Sequence, residues 1–193
     1  QPLTAGSGDY TIAFWFKPDN TDSANKEVIR WGLSNQIEIV NEGTDFKGMG
    51  ADAFTISANT WYHGAFVRTG SSTALLYLDG TSTSATPQDI ITVTDNNTSC
   101  NIGGRKEESE GYRGNMKEIG FWNRALSEAE IQELVGNKGS TAKKVPEVST
   151  TGLTTYFSCD TIAPNIADSS TNTSNLPENT LFEETDTYKQ YWL

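Results

Sequence analysis

Positive charge is scarce in this chain. Its 193 residues carry 14 Lys and Arg against 25 Asp and Glu, a formal net charge of -11. Such a chain repels polyanions, which argues against nucleic acid or an anionic bilayer as its partner. The longest basic cluster is the pair Lys143-Lys144. No run approaches the roughly 18 apolar residues of a membrane span, so membrane insertion is not expected. The chain has neither an initiating Met nor a leader, as expected of a mature form or of a piece of something longer. Histidine occurs once, at His63. A Ser–His–Asp triad would need it as the base, but it lies in a strand-like run, WYHGAFV, and is expected to be structural. There is no CxxC, HExxH or phosphate-cradling glycine loop, and Gly103-Gly104 reads as a turn.

Cysteine is nearly absent too. Cys100 and Cys159 are the two present, and two readings stay open. They are buried thiols, as in many cytosolic proteins, or they form one disulfide if the compartment oxidises. A bridge would close a loop of about 60 residues, on the order of 4 kcal/mol in the chain-entropy picture.

What is present is mostly strand. At 35% hydrophobic and 20% charged residues, the chain is long enough for one sizeable core and a small appendage. In residues 10–17, Tyr10, Ile12, Phe14 and Phe16 alternate with Thr11, Ala13, Trp15 and Lys17, the period of two of a pleated strand. Further strands are expected over 28–31, 36–41, 53–57, 61–68, 74–79, 89–94, 100–103 and 115–123. Loops fall at 43–50 and 104–111, and Asp79-Gly80 is a strong turn signal. One helix is expected near 127–135. Ser127 with Glu130 three residues on makes a capping box, Ile131, Leu134 and Val135 form the apolar stripe, and Gly136 ends it. Residues 139–151, rich in Lys, Ser, Thr and Val, read as a linker. Residues 152–193 read as a β-rich extension, with a strand at 152–160 and a small hairpin of 181–183 against 188–192.

Five stretches occur in one order: YTIAFWFKP at 10–18, WYHGAFVR at 61–68, LLYLDG at 75–80, NIGG at 101–104, and Arg124-Ala125-Leu126-Ser127 followed by Glu130-Ile131. Together they resemble the laminin-G-like jelly rolls of the concanavalin A-like lectin/glucanase superfamily, over about residues 8–136. The resemblance implies an all-β, two-sheet antiparallel jelly roll sandwich with one short helix, as domain 1–138. It is poorly specific for function, since lectins, adhesion modules, enzymes and spacers share the fold. GLTTYFSCD at 152–160, with the acidic loop at Asp168, resembles the family's opening segment, displaced here to follow the helix. Two explanations stand: a truncated second repeat, or a segment that supplies the missing strand to its own domain or to a neighbouring copy. Use is favoured, because a sandwich lacking one strand has an unpaired edge; self and neighbour stay open. The last stretch, LPENTLFEETDTYKQYWL, is similar to a segment of tailed-virus structural proteins and points to a virion or surface appendage.

The superfamily contains glucanases, whose pattern sets Glu, Asp and Glu at alternate positions of one strand. Here Glu38 and Glu42 flank Val40, and two glutamates four apart on a strand stand roughly 13 Å apart, too far for a retaining pair. A solvated strand face is expected, and no catalysis. The family often carries Ca²⁺, on the acidic opening loop and the start of the last strand. The resemblance assigns those places to Asp168 and Glu118, with Lys117 where an acid is usual. Sugar binding needs aromatic platforms beside planar polar groups. Trp15, Trp61 and Trp122 lie in strands and are expected in the core, so the candidates are Trp31 beside Arg30, and Tyr112 beside Arg105 and Arg113. The expected function is a non-catalytic, extracellular or virion-surface module that recognises a glycan or attaches to a cell-surface ligand. The rivals are a structural subunit tied into a homo-oligomer or larger assembly by its C-terminal strand and, less favoured, a glycosidase.

Overall fold

In the computed structural model the described residues are 8–21, 25–31, 37–48, 54–70, 73–83, 100–103, 111–136, 143–159, 181–184 and 189–192, with backbone alone at 25, 31, 37–42, 181–184 and 189–192. In chain order they form β1 (Tyr10–Pro18), β2 (Asn25–Trp31), β3 (Ile37–Glu42), β4 (Asp45–Gly48), β5 (Phe54–Thr55), β6 (Tyr62–Thr69), β7 (Thr73–Leu78), β8 (Thr81–Ser82), β9 (Cys100–Ile102), β10 (Gly114–Trp122), α1 (Glu128–Val135), α2 (Val145–Val148), β11 (Leu153–Phe157), β12 (Leu181–Glu184) and β13 (Lys189–Trp192). The strand expected over 89–94, the loop 104–110, Arg105 and Asp168 lie outside the described residues.

Two sheets face each other. One has the order β11-β10-β1-β6-β7-β8, the other β13-β12-β9-β2-β3-β4-β5. Their long pairings are antiparallel, with β1 between β6 and β10; β12 meets β9 in parallel at Phe182 and Ile102. The alternation in β1 explains the inner layer. Tyr10, Ile12, Phe14 and Phe16 join Val28, Ile29, Phe46, Phe66, Leu76, Phe121 and Phe157 between the sheets. Phe16 stacks on Phe46 at 4.7 Å between ring centroids. Such interlocked rings bury large apolar areas that water would otherwise face.

The other face of β1 is buried as well. Ala13 packs with Ala65, Val67, Tyr77, Trp122, Leu126, Ile131, Leu134, Val145, Leu153 and Tyr156, a second apolar layer between the six-stranded sheet and the two helices. Ser127 caps α1 as its spacing predicts, with Glu130 closing the capping box. Arg124 grips Glu130 through both nitrogens, at 3.1 and 2.5 Å, and donates to the Thr151 carbonyl at 2.8 Å. Buried Thr11 accepts from Leu126 N and donates to the Arg124 carbonyl, both at 2.9 Å. This is why the stretch 124–130 has the composition it has: it stitches the end of β10 to both β1 and the helix.

Two expectations are corrected. The loop 43–50 contains β4, because Phe46 is a core side chain and pulls its neighbours into the ladder. The linker 139–151 contains α2, whose Val145 is buried against the second layer. Beyond it, β11 pairs antiparallel with β10 of its own chain, with Ile119 in register with Phe157 and Trp122 with Leu153. The edge that would otherwise stand open is thus filled from within.

Candidate functional site

The outer face of the six-stranded sheet has two ends. Under the helices lie the rows Thr11–Val67–Trp122 and Ala13–Ala65–Gly120, read across β1, β6 and β10. Beyond the helices the same face continues as Trp15–His63–Lys117, and then Lys17 with Asn115. Trp61, one residue before β6, flanks Lys17 on the side away from Asn115. The Lys117 ammonium stands 4.8 Å from the centroid of the Trp61 ring and 6.0 Å from that of Trp15. The Lys17 ammonium stands 5.7 Å from Trp61. Trp15 and His63 are buried edge to face, 5.3 Å apart and inclined at 70°; Trp61 and both lysines are partly exposed.

Local folding fixes Trp61 there. Ile56 is buried in the inner core. Ser57 N donates to the Tyr62 hydroxyl at 2.9 Å. Asn59, in the left-handed region at φ 59, donates its N–H to the Pro18 carbonyl at 2.6 Å. The turn before β6 is therefore pinned to the end of β1, and Trp61 has no choice but to lie beside Lys17. Below it, burial holds His63 down at about 4, with the Asp79 charge pulling the other way. Asp79 accepts from the His63 main-chain N–H at 3.0 Å. His63 is thus a neutral, structural imidazole at neutral pH, as its place in the strand suggested. The arrangement offers an indole platform, two ammonium donors and an amide side chain on one rigid face, the equipment for holding a hydroxyl-rich or charged ring.

The residues singled out from the sequence are not gathered in one place. Arg30 is buried and ion-paired with the buried Glu27, so it does not border a solvent-facing platform. Tyr112 is 3% exposed and part of the inner core, where burial raises its hydroxyl well above the usual range. Arg113 is exposed, and its carbonyl accepts from Asp19 N at 3.0 Å. Trp31 is in register with Glu-flanked Ile37 on one side and with Cys100 on the other. Glu118, expected to face a cation, sits in the left-handed region at φ 51 and is buried. Its carboxylate accepts from Tyr156 Oη at 2.8 Å and from Val145 N at 3.1 Å. Those donors bind β11 and α2 to β10, and Asp168, the other place assigned to Ca²⁺, lies outside the described residues. Among the described residues no group of three or more His, Cys, Asp or Glu gathers to hold a metal. Cys100 and Cys159 are not bridged. Both touch the inner core, and burial pushes the Cys100 thiol up to about 12.

Reasoning from sequence missed Trp61, Trp15, Lys17 and Lys117 as a set. The signal was available in part: the period of two put Trp15 and Lys17 on the outward face of β1, and Lys117 is a cation where the resemblance leads one to expect an acid. What the pattern did not show is that the helices stop short of them.

Residues 1–132 match the family described as the concanavalin A-like lectin/glucanases superfamily. Similar folds include domain 4 of AbnA, a GH43 extracellular arabinanase from Geobacillus stearothermophilus, solved with arabinotriose, at 18% identity and TM-score 0.57, covering 69% of this chain and 68% of that one. A presumptive carbohydrate-binding protein from Bacteroides ovatus matches at 16% identity and TM-score 0.62, covering 85% of this chain and 50% of that one. Trypanosoma rangeli sialidase, solved with 2,3-difluorosialic acid, matches at 13% identity and TM-score 0.54, covering 71% of this chain and 24% of that one. The chain thus spans half of the second protein and about a quarter of the third, and at such identities the likeness is one of fold. No curated protein matches the sequence. The comparisons lend no support to the resemblance of the last stretch to tailed-virus proteins.

Proposed function

This chain belongs to the concanavalin A-like lectin/glucanases superfamily, and from that premise we propose that it is a non-catalytic module that binds carbohydrate on the open end of its six-stranded sheet. One observation carries the reading: Trp61 is held partly exposed on a rigid face with Lys17, Lys117 and Trp15 around it. A side chain of that size left in water on a folded surface is a natural platform for the apolar face of a sugar ring. The arabinanase domain solved with arabinotriose and the Bacteroides protein support the same class of ligand. The arabinanase is described as extracellular, which favours a module that works outside the cell. Against catalysis stands Val40 between Glu38 and Glu42 on β3.

A glycan array with wild type, Trp61→Ala and Trp31→Ala tests this. Binding lost in Trp61→Ala and kept in Trp31→Ala supports the site. The reverse pattern moves the site to the seven-stranded sheet, and hydrolysis of a glycan by the pure protein overturns the non-catalytic reading. A second reading, assembly by strand exchange, has one observation in its favour: among the described residues the β12–β13 hairpin joins its sheet at a single residue pair, Phe182 with Ile102. An oligomer that deletion of 160–193 dissolves, together with an array showing no binding, would favour it.

A further inference from the structure

The two lysines of this face lack what four other cations among the described residues have. Arg30 is paired with Glu27, Lys47 with Asp45 at 3.6 Å, Arg124 with Glu130 at 2.5 Å, and Lys143 with Glu133 at 2.8 Å. Lys17 and Lys117 have no carboxylate within ion-pairing distance among the described residues; their contacts are the rings of Trp61 and Trp15. In a chain with 25 acids and 14 bases, two adjacent cations without an acidic partner form a positive spot on a negative molecule. Long-range repulsion from the rest of the chain would turn away polyanions in general, so the spot acts over short range, at contact.

We propose that this face takes an anionic saccharide, one bearing a carboxylate or a sulfate. Its ring lies on Trp61 and its anionic group replaces the indole as the partner of Lys17 and Lys117. The inference rests on the reading of the face as a sugar site and adds the chemistry of the sugar. The dimensions agree. Three neighbouring strands span about 10 Å, and two outward positions along a strand about 7 Å, a footprint of one or two pyranose rings. A neutral ring stacking on Trp61 offers the displaced ammonium groups only hydroxyl oxygens, weaker partners than an anion. An anionic ring gives them a stronger partner than the indole they leave, since an exposed cation–π contact is weak. Asn115, on the same face beside Lys17, is placed to serve ring hydroxyls.

The test is calorimetric titration with three probes: an oligogalacturonate, the same oligomer with its carboxyl groups reduced, and a chondroitin sulfate oligosaccharide of similar length. At least one anionic probe is expected to bind on the order of tenfold tighter than the reduced oligomer. The preference should fade as NaCl is raised to about 0.5 M. It should vanish in the double variant Lys17→Met/Lys117→Met and survive in Lys17→Arg/Lys117→Arg, with unchanged melting temperatures showing that both fold. Preference for the carboxylated over the sulfated probe, or the reverse, identifies the anionic group. If the reduced oligomer binds as tightly as the anionic ones and binding still needs Trp61, the inference fails and the sugar site stands. If no saccharide on the array or among the probes binds, both fall.

Discussion

His63 should make this protein sensitive to mild acid. Burial holds the imidazole at about 4 against an ordinary 6.5, and the Asp79 charge only partly offsets it. The faces around the ring explain the size of the effect: Trp15 covers it edge-on, and the carboxylate of Asp79 is committed to the main-chain N–H. With the folded value below the unfolded one, the unfolded chain binds the proton first. Stability therefore falls as pH drops from about 6.5 toward 4 and is not lost further to this group below that. At about 1.4 kcal/mol per pH unit the full effect is about 3 kcal/mol, of which about 2 kcal/mol is reached by pH 5. The window from pH 7.5 to 5 lies above the sequence pI of about 4.5, where solubility would fail. Urea unfolding followed by tryptophan fluorescence at pH 7.5, 6.5, 5.5 and 5.0 measures it, with His63→Gln as the control. Wild type should lose about 2 kcal/mol and the control less than about 0.5 kcal/mol. A ring proton of His63 that titrates with a midpoint between 6 and 7 in NMR spectra, or a control that loses as much as wild type, refutes the reasoning.

Three further outcomes are expected. Glu118→Ala removes the buried acceptor of the Tyr156 hydroxyl and the Val145 N–H and should cost about 2–4 kcal/mol of unfolding free energy; in a cycle with Tyr156→Phe the double variant should cost less than the sum by about 1 kcal/mol. Gly120→Ala sets a methyl 2.5 Å from Trp122 Cη2 and 2.9 Å from Val145 Cγ1, so thermal melting should report a loss of about 1–3 kcal/mol, and an unchanged midpoint would count against the packing described. Ending the chain at Lys138 removes α2, β11, β12 and β13, bares the edge of β10 and uncovers Trp122, and size-exclusion chromatography should show aggregate where the full chain does not; a monomer with the full chain's melting temperature would show that β11 is dispensable.

Local chemistry was legible in the sequence, and long-range choices were not. The alternation of β1, the Ser127–Glu130 cap and the hairpin of β6 with β7 all depend on residues a few positions apart, and each was found where the pattern put it. The fold followed from five such pieces in order. The site residues depend instead on which face a distant segment covers. Arg30 borders a loop in sequence, yet its strand carries it to Glu27 and into the interior. Glu118 sits on the kink of β10 where the register with β1 shifts between Ala13 and Trp15. A bulge of this kind turns a side chain by nearly half a turn, and no period-two reading anticipates it. Trp61 was assigned to the core because a tryptophan beside a strand usually is. Its partial exposure depends on the length of the helices that cover the sheet.

That length can be worked out, and it divides stability from binding. α1 has eight residues, about 12 Å of helix, whereas the nine residues of β1 extend about 30 Å. A helix of that size covers less than half of the strand, and α2, with four residues, covers only what lies near Gly120. The rows beneath them are matched to the task. Ala13, Ala65 and Gly120 are small and let Val145 and the indole of Trp122 come close. The next rows change abruptly to Trp15, His63 and Lys117, and to Lys17 and Trp61, whose charged and amphipathic side chains are suited to form a surface of their own. Because no helix among the described residues rests on that end, replacing Trp61 or the lysines removes little buried area and should leave the melting temperature nearly unchanged, whereas enlarging Gly120 should lower it and leave the exposed end intact. Stability and ligand binding should therefore respond to different substitutions on a single sheet face, with the change of residue size between Ala13 and Trp15 marking the border.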